Sequence, residues 1–491
     1  MIGRIVGYAA VMFGASAFTG FLNFLISVTG MVGRSKATYG EYMTYVMVYS
    51  TAQSFFMYGI NGVVQKLAAG KDYERQVFCA LAFRGFLALF LVTTGLGLAV
   101  GVAWSPNIGL GIAGISLIVM NTWSRYLVRT KLDARAEALL LGVPSISTAL
   151  LQVLFVVLIP FEHGLIYGDF LAMVIAAVLG LVWLPRIAGL SFSELWSLTM
   201  PAELKREALR VGRPLWLAGQ IGAAGSYMGG IVTRAGLGGE ALAVNGATQT
   251  FWQFAWKPID LIAQGTLPAL VEAKERRQEL FFDVLRMAFA VLPSLGVGVA
   301  IGIPLLFQVI DLIVLRLGLT GPSLSEKYGD VQVLLLLQAA SMPLAAFTMV
   351  WNQYSIAVGE AKAALPMQIA SASATLVALL ALTGPFGLYG VYVASFIGAL
   401  ASAVAWIFLL GRSHPAEMRR ALGWLAISQV AAALALALGW YALGHRYGWA
   451  LSFLAVSAYL GMLLLSGIVR PSDLMKGIGM VRARFARKRA T

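Results

Sequence analysis

Cysteine is all but missing: Cys79 is the one thiol in 491 residues, and it sits inside an apolar run. That excludes a disulfide framework and a Cys-based metal site. Histidine is nearly as scarce. His163, His414 and His445 fall between apolar runs, with no HExxH and no paired spacing, so no zinc chemistry and no metal site is expected. Charged residues are thin at 12%, about half the roughly 25% of soluble domains. No GxxxxGK[ST] phosphate loop occurs, which leaves the chain without a P-loop ATPase of its own and with no cofactor to expect. One GxGxxG is present, Gly109-Leu-Gly-Ile-Ala-Gly114, but it opens an apolar run with no βαβ context and reads as a chance match.

What the chain has in quantity is apolar surface. Hydrophobic residues make up 59% and the mean hydropathy is +0.81. A soluble core of this size does not hide that much, and about twenty consecutive apolar residues cross a bilayer. The expected fold is therefore an all-α polytopic membrane protein, because backbone groups must be paired internally in lipid. Fourteen stretches read as transmembrane helices: 5–29, 42–65, 77–104, 108–128, 137–159, 165–184, 212–234, 244–268, 281–310, 331–357, 364–383, 387–411, 421–443 and 449–469. Ala15-Ser16-Ala17 resembles a cleavage site. The apolar run continues to Thr29 and a second follows at once, so the first span reads as an anchor.

The net charge of +14 is spread over short loops rather than gathered on one face, which speaks against a nucleic-acid partner. Its distribution orients the spans. With the N-terminus in the cytoplasm, 27 of the 36 Lys and Arg lie on the inner side. Six (Arg34, Lys36, Arg234, Arg316, Lys327 and Arg446) lie outside, and Arg84, Lys257 and Arg286 lie within spans. The positive-inside rule then places both termini in the cytoplasm. The tail Arg482-Ala-Arg-Phe-Ala-Arg-Lys-Arg489 reads as a solvated anchor beside anionic lipid.

The chain repeats after six spans. Gly62-Val-Val-Gln-Lys-Leu-Ala-Ala-Gly-Lys71 reads against Gly265-Thr-Leu-Pro-Ala-Leu-Val-Glu-Ala-Lys274, Arg75 and Arg84 against Arg277 and Arg286, and Val119-Met-Asn121-Thr-Trp-Ser124 against Val350-Trp-Asn352-Gln-Tyr-Ser355. A change of offset between these matches makes 311–330 an outer-loop insertion in the second half. Six is even, so the halves enter the membrane in the same sense, a parallel repeat. The expected organisation is an N-lobe 1–184, a charged cytoplasmic connector 185–210, a C-lobe 211–411, two extra helices in 412–470 and a basic tail 471–491.

Polar residues inside spans form stripes. The eighth span carries Gln249, Gln253, Lys257, Asp260 and Gln264 at steps of 4, 4, 3 and 4, one helical face. A Lys or Asp at the bilayer centre costs about 2.5–3.5 kcal/mol, so these side chains should face protein or water. Lys257 and Asp260 suit either a structural ion pair or the wall of a water-filled cavity, and Pro258 between them loosens the helix. The second span answers with Tyr45, Tyr49, Gln53, Asn61 and Gln65, the first with Ser16, Asn23 and Ser27, and the seventh with Gln220, Ser226 and Tyr227. Spans 1, 2, 7 and 8 are thus expected to line a cavity. Arg84 and Arg286 occupy matching places near the inner ends of spans 3 and 9. They either snorkel to the interface or form a cationic mouth for an anionic head group. Arg234 closes the outer end of span 7.

Tyr39-Gly-Glu-Tyr42, Gly59-Ile-Asn-Gly62 before Lys66, and Leu204-Lys205 through Leu209-Arg-Val-Gly-Arg-Pro214-Leu, followed by Leu237-Gly-Gly-Glu-Ala-Leu-Ala243, resemble the Wzx-type flippases. These form the polysaccharide-transporter branch of the multidrug/oligosaccharidyl-lipid/polysaccharide exporter superfamily. The resemblance covers roughly 1–470. It implies two six-helix lobes that carry undecaprenyl-diphosphate-linked oligosaccharide from the inner to the outer leaflet of the bacterial inner membrane. A polysaccharide polymerase is the partner it implies. The substrate-binding residues would be Lys257, Asp260, Gln253, Gln53, Asn23, Arg84, Arg286 and Arg234. Lipid II flippases are less similar, since their arginine-rich first-span motif has no clear match around Asn23. A multidrug or metabolite antiporter fits the same architecture, although such exporters rely on buried acids and only Asp169, Asp260 and Asp283 are placed to serve. A membrane-embedded oligosaccharide polymerase or ligase would need a long outer loop with catalytic groups. The longest here is only about 20 residues by boundaries good to a few residues, so no enzyme is expected.

Overall fold

The computed structural model describes residues 2–467, apart from 58–59, 69–70, 132, 159–161, 254–255, 257–305, 317, 319–322, 330, 359 and 444–447. Among the described residues there is no strand. The helices follow the apolar runs closely: α1 (Ile2–Gly33), α2 (Lys36–Met57), α3 (Ile60–Ala68), α4 (Asp72–Ala103), α5 (Pro106–Arg129), α6 (Ala134–Val153) and α7 (Gly164–Ala188) make up the first half. The connector holds α8 (Phe192–Ser197) and the start of α9 (Ala202–Leu237). There follow α10 (239–253), α11 (306–316), α12 (Leu324–Tyr328), α13 (Val331–Ala340), α14 (Met342–Val358), α15 (Ala364–Leu410), α16 (Pro415–Leu443) and α17 (Gly448–Leu465). Five described helices are long and apolar enough to cross a membrane, and six if the bent pair α13–α14 is one span. The single α15 itself turns back at Gly387 (φ 56°), a left-handed conformation that glycine tolerates, with Ser371 on one arm bonded to the Gly398 carbonyl on the other at 3.1 Å. It thus supplies the eleventh and twelfth spans of the sequence reading.

Two of the expected spans are broken. The second is divided between α2 and α3. Near the end of α2 the Phe55 carbonyl accepts two donors from α9, Trp216 Nε1 at 3.1 Å and Gln220 Nε2 at 2.7 Å. The tenth bends by 45° at Ser341, where Gln429 of α16 donates to the Ala340 carbonyl at 3.4 Å. Carbonyls that a break frees need partners where lipid offers none, and long amides supply them. In α6 Pro144 removes one helical hydrogen bond, and the helix ends in a π turn over Leu154–Leu158.

Two compact units are distinguished. One comprises Met1–Lys257, Val309–Val331 and Ala372–Ala394, the other Pro258–Gln308, Gln332–Ser371 and Ser395–Thr491. These boundaries differ from those of the repeat-based lobes. In the first unit α4 and α5 approach closely through glycine. A Cβ on Gly97 would stand 2.6 Å from the Gly109 carbonyl oxygen, and one on Gly109 would stand 2.6 Å from the Gly101 Cα. Gly111 faces Val48 of α2, and a Cβ on Gly114 would stand 3.1 Å from the Met173 sulfur. The GxGxxG run is therefore a three-sided packing surface, the use small residues serve between membrane helices. At the far ends of these helices Arg129 bonds the fully buried Glu137 through Nε at 3.0 Å.

α12 is a clasp. Ser323 and Glu326 form its capping box, and Asp311 accepts from the Leu324 N–H at 2.5 Å and the Ser325 hydroxyl at 2.6 Å. This holds Lys327 and Tyr328 over the last turn of α1. Lys327 Nζ donates to the Met31 carbonyl at 2.6 Å and also to that of Arg34, while the Tyr328 hydroxyl donates to Met31 at 3.1 Å. Burial lowers the Lys327 pKa from its ordinary value. In the second unit α14 carries a chain of edge-to-face rings, Trp351 against Tyr354 at 4.8 Å and Tyr354 against His414 at 5.2 Å, with His414 Nε2 at 3.2 Å from Glu360.

Candidate functional site

The first unit encloses a cavity of about 280 Å³. Its wall comes from six helices: Asn23 and Ser27 of α1, Tyr42, Met43 and Tyr49 of α2, Asn121 of α5, Ser145 and Thr148 of α6, Asp169 and Met173 of α7, and Gln249, Thr250 and Gln253 of α10. Tyr39, Tyr42, Tyr45 and Tyr49 descend one face of α2 at steps of 3, 3 and 4, with successive ring centroids 6.0, 6.3 and 5.2 Å apart. Asp169 lies beside the Tyr45 and Tyr49 hydroxyls, of which that of Tyr45 donates to the Met173 sulfur at 3.8 Å. Asp169 is only 7% exposed, and its Oδ2 makes no hydrogen bond of normal geometry. Asn121 is 8% exposed, and its Oδ1 is unbonded too. Buried oxygens without donors are costly, about 1–3 kcal/mol each. Those two oxygens are sealed from the cavity space itself, but the amides and hydroxyls that ring the chamber suit a polar guest.

The sequence-expected residues fall in different places. Asn23 and Gln253 both line the cavity, so the stripes of spans 1 and 8 meet across it. Gln53 does not; its amide donates to Thr122 at 3.1 Å. Arg84 is spent on the connector, donating to the Leu198 carbonyl at 2.7 Å and the Trp196 carbonyl at 3.4 Å. Arg234 stands exposed at the end of α9, with its guanidinium over Gly239. Lys257, Asp260 and Arg286 lie outside the described residues. Among the described residues no part of α9 lines the cavity. Its stripe instead grips α2, with Tyr227 at 2.9 Å from Ser54 and Gln220 on Phe55. In its place α5, α6 and α7 complete the wall. The sequence signal for them was present but diluted. Asn121 stands out only as a repeat match, among the polar residues Thr122, Ser124 and Arg125 that follow it, and Asp169 only as a buried acid on an otherwise apolar stretch.

No family model matches the chain, and no curated protein matches it. Solved structures do. A multidrug resistance MATE family transporter of the MOP superfamily, in an inward-facing conformation, superposes with a TM-score of 0.63 at 18% identity, over 84% of this chain and 99% of its own. The lipid II flippase MurJ, in an inward closed conformation, superposes with a TM-score of 0.70 at 12% identity, over 95% of this chain and 100% of its own. The chain has the fold of the MOP superfamily transporters. A third such transporter, from Pyrococcus furiosus, agrees at a TM-score of 0.60 and 17% identity, over 85% of this chain and 96% of its own. The MOP fold is all-helical and polytopic, as the hydropathy of this chain requires.

Proposed function

We propose that the protein is a flippase for lipid-linked oligosaccharide. It would pass undecaprenyl-diphosphate-bound sugar from the inner to the outer leaflet of a bacterial inner membrane by alternating access, with both termini cytoplasmic and the two six-helix lobes of the repeat as its moving parts. One observation carries this reading. The lipid-flippase structure spans 95% of the chain, whereas the multidrug transporters span 84–85%. The chemistry of the wall supports it: amides of Asn23, Asn121, Gln249 and Gln253 and the hydroxyls of Tyr42 and Tyr49 suit a hydroxyl-rich guest. In this reading Lys257 meets the diphosphate as a point charge. Asp169 joins Asp260 as a candidate for ion coupling, since an intramembrane carboxylate is a functional site by default.

The test is reconstitution. Protein in vesicles carrying a fluorescent undecaprenyl-diphosphate oligosaccharide should expose the sugar to an added glycosidase, and protein-free vesicles should not. Movement of cationic dyes without movement of the lipid would overturn the flippase in favour of a multidrug antiporter.

A further inference from the structure

The connector helix α8 is too well built for a mere link. Gly189 (φ 69°) turns the chain out of α7, and Ser191 with Glu194 forms a full capping box. The two hydrogen bonds of Ser191 hold the Glu194 carboxyl below its usual range. At the other end Arg84 of α4 supplies donors to the terminal carbonyls, the partners a helix C-terminus lacks. Leu195 is fully buried, yet Trp196 is 58% exposed and Phe192 46%. Both rings pack on Phe83 of α4, at 6.2 and 5.4 Å. Rather more than two turns further along α4 come Leu91 and Val92, exposed at 73% and 57% on a helix of hydropathy 2.2. In a spanning helix such residues face acyl chains. The rings of α8 thus sit at the edge of the lipid-facing surface, the depth where Trp belongs.

Cations flank α8 in the chain, on the end of α7 and the first turns of α9. Arg186, Lys205, Arg206, Arg210 and Arg213 are all exposed. Of the three acids in the same stretch, Glu194 is occupied in the capping box, Glu207 lies 3.7 Å from Arg210 and Glu203 stands exposed in the first turn of α9, so the five cations remain in excess. We propose that α8 is a membrane-surface anchor for anionic phospholipid, with Phe192 and Trp196 in the headgroup layer and the flanking cations on its phosphates. Arg84 is its positioning residue. The proposal does not depend on what the protein transports.

The experiment places bimane on Trp196→Cys in the full-length Cys79→Ala protein, with Ser193→Cys as the reference, in phosphatidylcholine vesicles with or without roughly one-third phosphatidylglycerol. Headgroup-spin-labelled lipid should quench the label at 196 about threefold more than at 193, more strongly with phosphatidylglycerol, and iodide should do the reverse. Replacing Lys205, Arg206, Arg210 and Arg213 with Gln should erase the phosphatidylglycerol effect. Arg84→Gln, in protein that still elutes as a single species, should open position 196 to iodide. Equal iodide access at 196 and 193, or lipid quenching indifferent to phosphatidylglycerol, would overturn the anchor. Either result stands apart from the flipping assay.

Discussion

At the scale of single residues, Asp169 is the side chain the cavity singles out. It is buried, faced by two tyrosine hydroxyls and left with an unbonded oxygen. Asp169→Asn keeps the shape and removes the charge. We expect transport to fall about tenfold or more with normal accumulation in the membrane; full transport would make the carboxylate a bystander. Asn23 and Gln253 predict by accessibility. In a Cys79→Ala background, cysteines at both positions should react with a water-soluble thiol reagent, and cysteines at buried Phe24 and Phe251 should not. Away from the cavity, Arg129→Met would take the charged partner from the fully buried Glu137 and should cost about 3–5 kcal/mol, read as a lower thermal midpoint in detergent. The sequence made Asn23 and Gln253 legible because a helical face repeats every three or four positions. It left the partners of Gln53 and Arg84 unread because a stripe says which way a side chain points, not what stands opposite. Thr122 and the carbonyls of α8 were invisible to it.

Between residue and molecule lie the helices, and here the clasp of α12 on α1 makes a prediction. Lys327 donates to carbonyls on the last turn of α1 and just beyond it, and Tyr328 shares one of them. Lys327→Met should leave them without their charged donor and cost about 2–4 kcal/mol. Lys327→Arg should recover part of that. The measurement is the thermal midpoint of both variants; no loss in Lys327→Met would show that water replaces the lysine. Hydropathy located the helices to within a few residues at most ends, since apolar length is what a bilayer selects. It ran through the division of span 2 and the bend at Ser341, because both are repaired by distant amides, Gln220 and Gln429. It also could not reveal that Lys327 and Tyr328 of α12 bond the end of α1.

For the whole molecule, the all-helical polytopic class follows from composition alone, and the fold comparison agrees with it. The 27-to-6 division of Lys and Arg makes a separate claim. Reporters fused after Arg186, Arg206 or Thr491 should all read cytoplasm, and a C-terminus on the far side would reverse the expected orientation. The lobes 1–184 and 211–411 rest on matches of a few residues each. Compactness groups the chain differently because helices such as α10 pack on first-half partners, with Tyr39 reaching Thr250 and Gly246 meeting Met43. The clasp also imposes an order on biosynthesis. The groups that finish α1 lie at 327 and 328, almost 300 residues downstream. During synthesis at roughly 5–20 residues per second, α1 therefore waits some tens of seconds with its last carbonyls unpaired. A nascent chain stalled before residue 323 holds an unfinished first helix, a state that a chaperone or a membrane protease can tell from the completed protein.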